Sequence, residues 1–179
     1  GLVHYQFEAI HPFLDGNGRI GRLLITFLLV AWGLLSKPLL YLSNFIEANR
    51  QEYYDRLLAV SQKGEWEAWL LFFLEGVRSQ AEDASQRIIR LQALRLKYRE
   101  QFADDRNREK LGRMVDYLIG SPITSIPQAQ ESLDMGSYTT IQRYIEKLAK
   151  LGIVREVTGK SRNRIYRADQ ILKVLEERI

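Results

Sequence analysis

No cysteine occurs in the 179 residues, which excludes a disulfide framework and thiol catalysis and is compatible with a reducing compartment. No apolar run reaches the roughly 20 residues that a membrane-spanning helix needs. The most apolar stretch, Leu23 to Leu35, suits a buried helix instead. The opening GLVHYQFEAI has no basic n-region and no cleavage site, so no secretory signal is expected. It also lacks an initiator Met and looks like the inside of a helix, so the chain is expected to be a piece of a longer protein. These absences predict a cytoplasmic protein with no membrane partner.

What is present is ordinary in bulk and uneven in detail. Apolar residues at 46% and charged residues at 27% are those of a globular protein with one large or two small domains. The net charge of +4 is concentrated late in the chain. Between Ile141 and Ala168, the bases Arg143, Lys147, Lys150, Arg155, Lys160, Arg162, Arg164 and Arg167 face only Glu146 and Glu156. Basic character therefore belongs to the C-terminal part.

One stretch organises the rest: His11 to Arg22, HPFLDGNGRIGR. It is a polar loop running into the apolar helix. Gly16 and Gly18 permit the positive φ and close backbone approach of an anion-cradling turn, and Asn17 can hold that turn through its side chain. Unpartnered N–H groups and the helix dipole make the following helix start positive. Arg19 and Arg22, three apart, share a face on its rim. The pattern predicts a polyphosphate pocket. Asp15 is a hard oxygen ligand of the kind Mg²⁺ uses together with substrate phosphates. His11 can accept a proton near neutral pH. Each part alone has a plainer explanation: a structural His before Pro, a GNG turn, a helix-capping Asp, solvated arginines. The two arginines oppose the helix dipole, however, which argues for an anion between them.

The same residues resemble the signature of Fic-domain proteins, H-x-F-x-[DE]-G-N-G-R-x-x-R. His11, Phe13, Asp15, Gly16, Asn17, Gly18, Arg19 and Arg22 fill every fixed position. HYQFEAI before it and YLSNFIEANRQEYY after it are similar as well, so the likeness covers about residues 1–80. The resemblance implies transfer of AMP from ATP to a Ser, Thr or Tyr hydroxyl of a target protein. In that scheme His11 deprotonates the hydroxyl and Asp15 binds Mg²⁺. Gly16, Asn17 and Gly18 line the anion hole, Arg19 and Arg22 hold the outer phosphates, and Phe13 anchors the loop in the core. Tyr53 and Tyr54 match a pair that flanks the base in related proteins, and Ser61 is a weaker nucleotide candidate. Gly18, where some phosphoryl-transferring relatives carry Lys, favours AMP transfer. Two parts of the family pattern are missing from the sequence: the hairpin flap that aligns the target, and an inhibitory [ST]-x-x-x-E-[GN] motif.

Helical periodicity predicts a mainly α fold. Helices are expected at His4–Ile10 (Tyr5, Ala9 and Phe7 inward), about Gly18–Leu35, Asn44–Lys63, Glu65–Arg78 (Trp66, Trp69, Phe72, Phe73 and Leu74 as core) and Glu82–Phe102. Further helices are expected at Arg108–Ile119, Ile126–Leu133, Tyr138–Leu151 and Asp169–Glu177. A hairpin is expected from Ile153–Val157 and Arg164–Arg167. The division expected is 1–80 for a Fic-type helical core, 81–104 for a connecting helix and 105–179 for a winged helix-turn-helix, which three helices and a basic hairpin resemble. In that module Ser137, Thr139, Thr140, Gln142 and Arg143 would open a recognition helix, and Lys160, Arg162 and Arg164 would form a wing over DNA phosphates. A nucleic-acid-binding regulator with a nucleotide-sensing Fic part is therefore the alternative to an enzyme. Protein docking or homodimerisation is the other use of such a module.

Overall fold

A computed structural model describes residues 1–38, 40–160 and 163–177. It is mainly α-helical and divides into two compact units, Gly1–Ser85 and Gln86–Ile179.

The first unit holds α1 (Leu2–Ile10), α2 (Asn17–Ala31), α3 (Leu42–Ala48), α4 (Arg50–Lys63) and the first part of α5 (Trp66–Glu100). Its core is Ile25, Leu40, Leu42, Ile46, Tyr53, Val60, Trp69, Phe72 and Phe73. On α2 the buried positions are Asn17, Gly21 and Ile25, one stripe at helical spacing. Gly64, at φ 68°, closes α4: its own N–H donates to the Val60 carbonyl at 3.0 Å and the Glu65 N–H donates to the Ala59 carbonyl at 3.5 Å.

Three expectations are corrected here. The helix expected from Asn44 to Lys63 is broken at Asn49, whose side-chain amide donates to the Phe45 carbonyl at 2.9 Å, an alternative to continued helix. The two helices expected around residues 65–102 are one. Arg78 reaches Glu75 at 2.6 Å and Glu82 at 2.7 Å, spanning the supposed gap, and nothing there terminates a helix. The aromatic stripe is only partly core. Trp69 is fully buried, but Trp66 and Leu74 are exposed, and Trp66 packs edge-on against Tyr5 at 4.7 Å.

The second unit contains the rest of α5, then α6 (Arg108–Gly120), β1 (Ile123–Ser125), α7 (Ile126–Leu133), α8 (Tyr138–Lys150), β2 (Arg155–Glu156), β3 (Ile165–Arg167) and α9 (Asp169–Glu176). Its core takes Leu111, Met114, Val115 and Leu118 from α6, and Ile141, Ile145 and Leu148 from α8, in each case one stripe at helical spacing. Tyr98 and Phe102 join it, whereas Ile88 stays exposed. The three strands form an antiparallel sheet in the order β1-β3-β2, with Thr124 opposite Tyr166 and Arg155 opposite Arg167. Strand β1 was not expected. It runs directly into α7 through a capping box: the Ser125 hydroxyl accepts from the Gln128 N–H, and the Gln128 side chain accepts from the Ser125 N–H at 2.9 Å. Among the described residues no helix is long and apolar enough to cross a membrane.

Candidate active site

Helix α1 ends at His11, which adopts a left-handed conformation (φ 50°, ψ 58°) and donates its N–H to the Phe7 carbonyl at 3.0 Å. That sharp exit leaves the imidazole exposed at the mouth of the loop. The chain then turns at Gly16 (φ 82°) and enters α2. A positive φ of this size is where a side chain would strain the backbone.

Asn17 governs the loop. It is 2% exposed, and its amide accepts from the Phe13 N–H at 2.9 Å and donates to the Phe13 carbonyl at 2.6 Å. The loop is thus anchored by Phe13's backbone. The Phe13 ring, expected in the core, is 46% exposed and lies 6.2 Å from Phe7. The two amide bonds do what ring burial was expected to do.

The start of α2 carries no side-chain cap and no acidic residue in its first turn. The first backbone bond into the helix is from Ile20 N–H to the Gly16 carbonyl, at 3.0 Å. The N–H groups of Asn17, Gly18 and Arg19 therefore have no intrahelical acceptor, which is the arrangement that binds anions. Asp15 sits beside them with 93% of its side chain exposed. One oxygen accepts the Gly16 N–H at 2.7 Å and the other is 3.5 Å from Arg19 Nη2. The Arg19 side chain is 76% exposed. Arg22 folds back on Gly18: a β-carbon there would lie 3.2 Å from Arg22 Nη1, so the bare glycine leaves the guanidinium uncovered. Among the described residues no group of three or more His, Asp or Glu side chains could hold a metal. A hard cation here would need phosphate oxygens beside Asp15, and its exposed carboxylate fits that requirement.

Arg22 also walls a cavity of about 230 Å³ with Ser43, Ile46, Glu47, Arg50, Tyr53 and Tyr54. Of the two tyrosines, Tyr53 is core at 3% exposure and Tyr54 is exposed, with the Arg50 guanidinium over its ring at 5.8 Å from the centre. Ser61 does not line this cavity. Its hydroxyl pairs with Tyr5 Oη at 2.9 Å.

Two groups behind the loop went unnoticed in the sequence. His4, not Ala9, is the buried position of α1. Its Nε2 meets Tyr53 Oη at 2.9 Å and stands 4.0 Å from Glu8 Oε1. Burial pushes the His4 pKa down to about 4, and the Arg22 charge adds to the shift. Burial raises the Glu8 carboxyl, opposed by Arg22 and His11, and it raises the Tyr53 hydroxyl too. The spacing of His4, Glu8 and His11 (i, i+4, i+7) was the available signal.

In the second unit Ser137 is the N-cap residue of α8, its hydroxyl 2.9 Å from Thr139 Oγ1 and 3.2 Å from Thr140 Oγ1. Gln142 donates to Glu146 at 2.8 Å, and Arg143 lies 5.4 Å from the Tyr144 ring centre. Arg164 Nε donates to the Lys160 carbonyl at 3.1 Å, and Arg162 lies outside the described residues. A part of the basic excess is paired: Arg155 and Arg167 share Asp169, and Lys147 meets Asp105.

Comparison with known proteins bears on the first unit. Residues 1–29 match the model of the Fic/DOC family. A probable protein adenylyltransferase of Aquifex aeolicus is 39% identical over 61 residues, covering 34% of this chain and 19% of the relative. The protein adenylyltransferases Fic of Drosophila grimshawi and Drosophila erecta are each 32% identical over 74 residues, covering 41% of this chain and 14% of theirs. The chain thus spans about a fifth or less of the length of these curated relatives.

Proposed function

We propose that this chain, whose residues 1–29 match the Fic/DOC family, contributes the phosphate-handling end of an enzyme that moves AMP from ATP to a hydroxyl side chain of a target protein. The observation that carries the proposal is the uncapped start of α2, with three backbone N–H groups that have no intrahelical acceptor, flanked by His11, Arg19 and Arg22.

The roles follow from placement. The N–H groups of Asn17, Gly18 and Arg19 receive phosphate oxygens, and Arg19 and Arg22 neutralise the outer phosphates. Asp15 would hold Mg²⁺, which would supply charge neutralisation to the phosphates. His11, exposed at the end of α1, takes the proton of the incoming hydroxyl. The hydroxyl oxygen forms a bond to the α-phosphorus as the bond from that phosphorus to the bridging oxygen breaks, and pyrophosphate leaves. The exposed ring of Tyr54 suits stacking on a base, while Tyr53 supports it edge-on from the core at 5.3 Å.

The nucleic-acid alternative for the second unit gains no support: the family match covers residues 1–29, in the first unit.

The test uses the full-length protein with ATP and Mg²⁺, and mass spectrometry for AMP adducts. His11→Ala should reduce transfer by roughly 10²–10⁴-fold while ATP still binds. Transfer by His11→Ala at the parental rate would refute the assignment.

A further inference from the structure

The buried polar groups behind the loop are not explained by the roles above. Glu8 lies one turn before His11 on α1, and its side chain is only 12% exposed. Its Oε1 is inaccessible and, among the described residues, accepts no hydrogen bond. Arg22 Nε, on α2, is likewise buried and donates none. A buried ionisable group with unmet hydrogen-bonding capacity is costly, so two of opposite charge in one cluster call for an explanation.

Gly21 brings them together. A β-carbon at position 21 would run into Glu8 Oε1 and come within 3.1 Å of His4 and Phe7. The absence of a side chain lets α1 and α2 close with the carboxylate pressed against α2, one residue before Arg22. The other charged or titratable groups facing this point are His4 and His11 on α1 and Tyr53 on α4. His4, bonded to Tyr53, fixes the floor beneath Glu8. The Arg22 guanidinium is meanwhile directed by its Nη1 end toward Gly18 and the uncapped helix start. Its Nε–H is thus the donor that an anion at the loop does not use.

We propose that Glu8 is a positioning residue for Arg22: its carboxylate, seated on Gly21, receives the Arg22 Nε–H when the Nη groups engage the outer phosphates. Side-on support of this kind fixes the plane of the fork, which a guanidinium needs for bidentate phosphate binding. Glu8 touches neither nucleotide nor target. The inference rests on the assignment of Arg22 to the outer phosphates.

The experiment is titration calorimetry of the full-length protein with Mg²⁺-ATP and, separately, with AMP. Parent, Glu8→Gln, Arg22→Lys and the double variant are compared. Glu8→Gln should weaken ATP about tenfold or more, as for loss of a hydrogen bond to a charged group, and leave AMP nearly unchanged. In the Arg22→Lys background, where no Nε–H exists, Glu8→Gln should add nothing. Gly21→Ala, which displaces the carboxylate without removing it, should reproduce the ATP-selective loss. If Arg22→Lys leaves ATP affinity intact, the phosphate assignment itself fails. If Arg22→Lys weakens ATP but Glu8→Gln does not, or the two losses simply add, the positioning role alone fails. Tighter ATP binding by Glu8→Gln would show a competing anion instead, and equal loss of ATP and AMP would show a merely structural carboxylate. Either result overturns the inference.

Discussion

Acidification should destabilise the first unit chiefly through His4. The ring is 2% exposed, bonded to Tyr53 and close to Trp69, with ring centres 6.2 Å apart. Its pKa falls from 6.5 to about 4 on folding. The unfolded chain therefore binds a proton that the folded one refuses. The stability attached to His4 is complete above about pH 6.5, declines as pH falls toward 4, and is fully lost below that. That difference, at about 1.4 kcal/mol for each tenfold change in proton affinity, is about 3–4 kcal/mol, a large share of the roughly 5–15 kcal/mol typical of a domain. Glu8 works in the opposite sense, because a raised carboxyl pKa favours the folded state at low pH and loses that contribution as pH rises. Trp32, Trp66 and Trp69 are the only tryptophans and all lie in the first unit, so their fluorescence reports on it alone. Urea titrations between pH 7.5 and 4 should show the midpoint falling in the parent. His4→Gln, which can still bond Tyr53 but does not titrate, should be much flatter. A parental midpoint that stays level over this range, or a His4→Gln slope equal to the parent's, would refute the burial argument.

Three further outcomes are expected. Asn17→Ala strands the Phe13 N–H and carbonyl and should cost about 1–3 kcal/mol of first-unit stability, read by the same fluorescence, with ATP binding lost beside it; unchanged ATP affinity would show that the loop holds its shape without Asn17. Asp15→Asn alters an exposed side chain and should leave melting within about 0.5 kcal/mol, while calorimetry finds Mg²⁺-dependent ATP binding abolished. Ser125→Ala removes the cap of α7 and should lower second-unit stability by about 1 kcal/mol, seen as faster hydrogen exchange at the Gln128 amide.

Linear order alone specifies a good part of this protein. The loop from His11 to Arg22 and its run into an apolar helix follow from adjacent residues, because turn geometry and helix starts are set by local sterics and nearest hydrogen bonds. The α6 and α8 cores follow from 3.6-residue spacing. The capping box at Ser125 was equally local and could have been found from the Ser-Ile-Pro-Gln order. Contacts between distant segments decide the rest. Tyr53 turns inward because His4, 49 residues earlier, supplies the partner its hydroxyl needs. Phe13 stays outside because Asn17 already holds its backbone, and Trp66 and Leu74 fall off the packed face of a helix that continues where a break was expected. The cluster of His4, Glu8, Gly21 and Arg22 exists only when α1 meets α2. Burial and the field of a neighbouring charge are properties of three-dimensional surroundings, and no spacing along one helix specifies what the other helix brings to it.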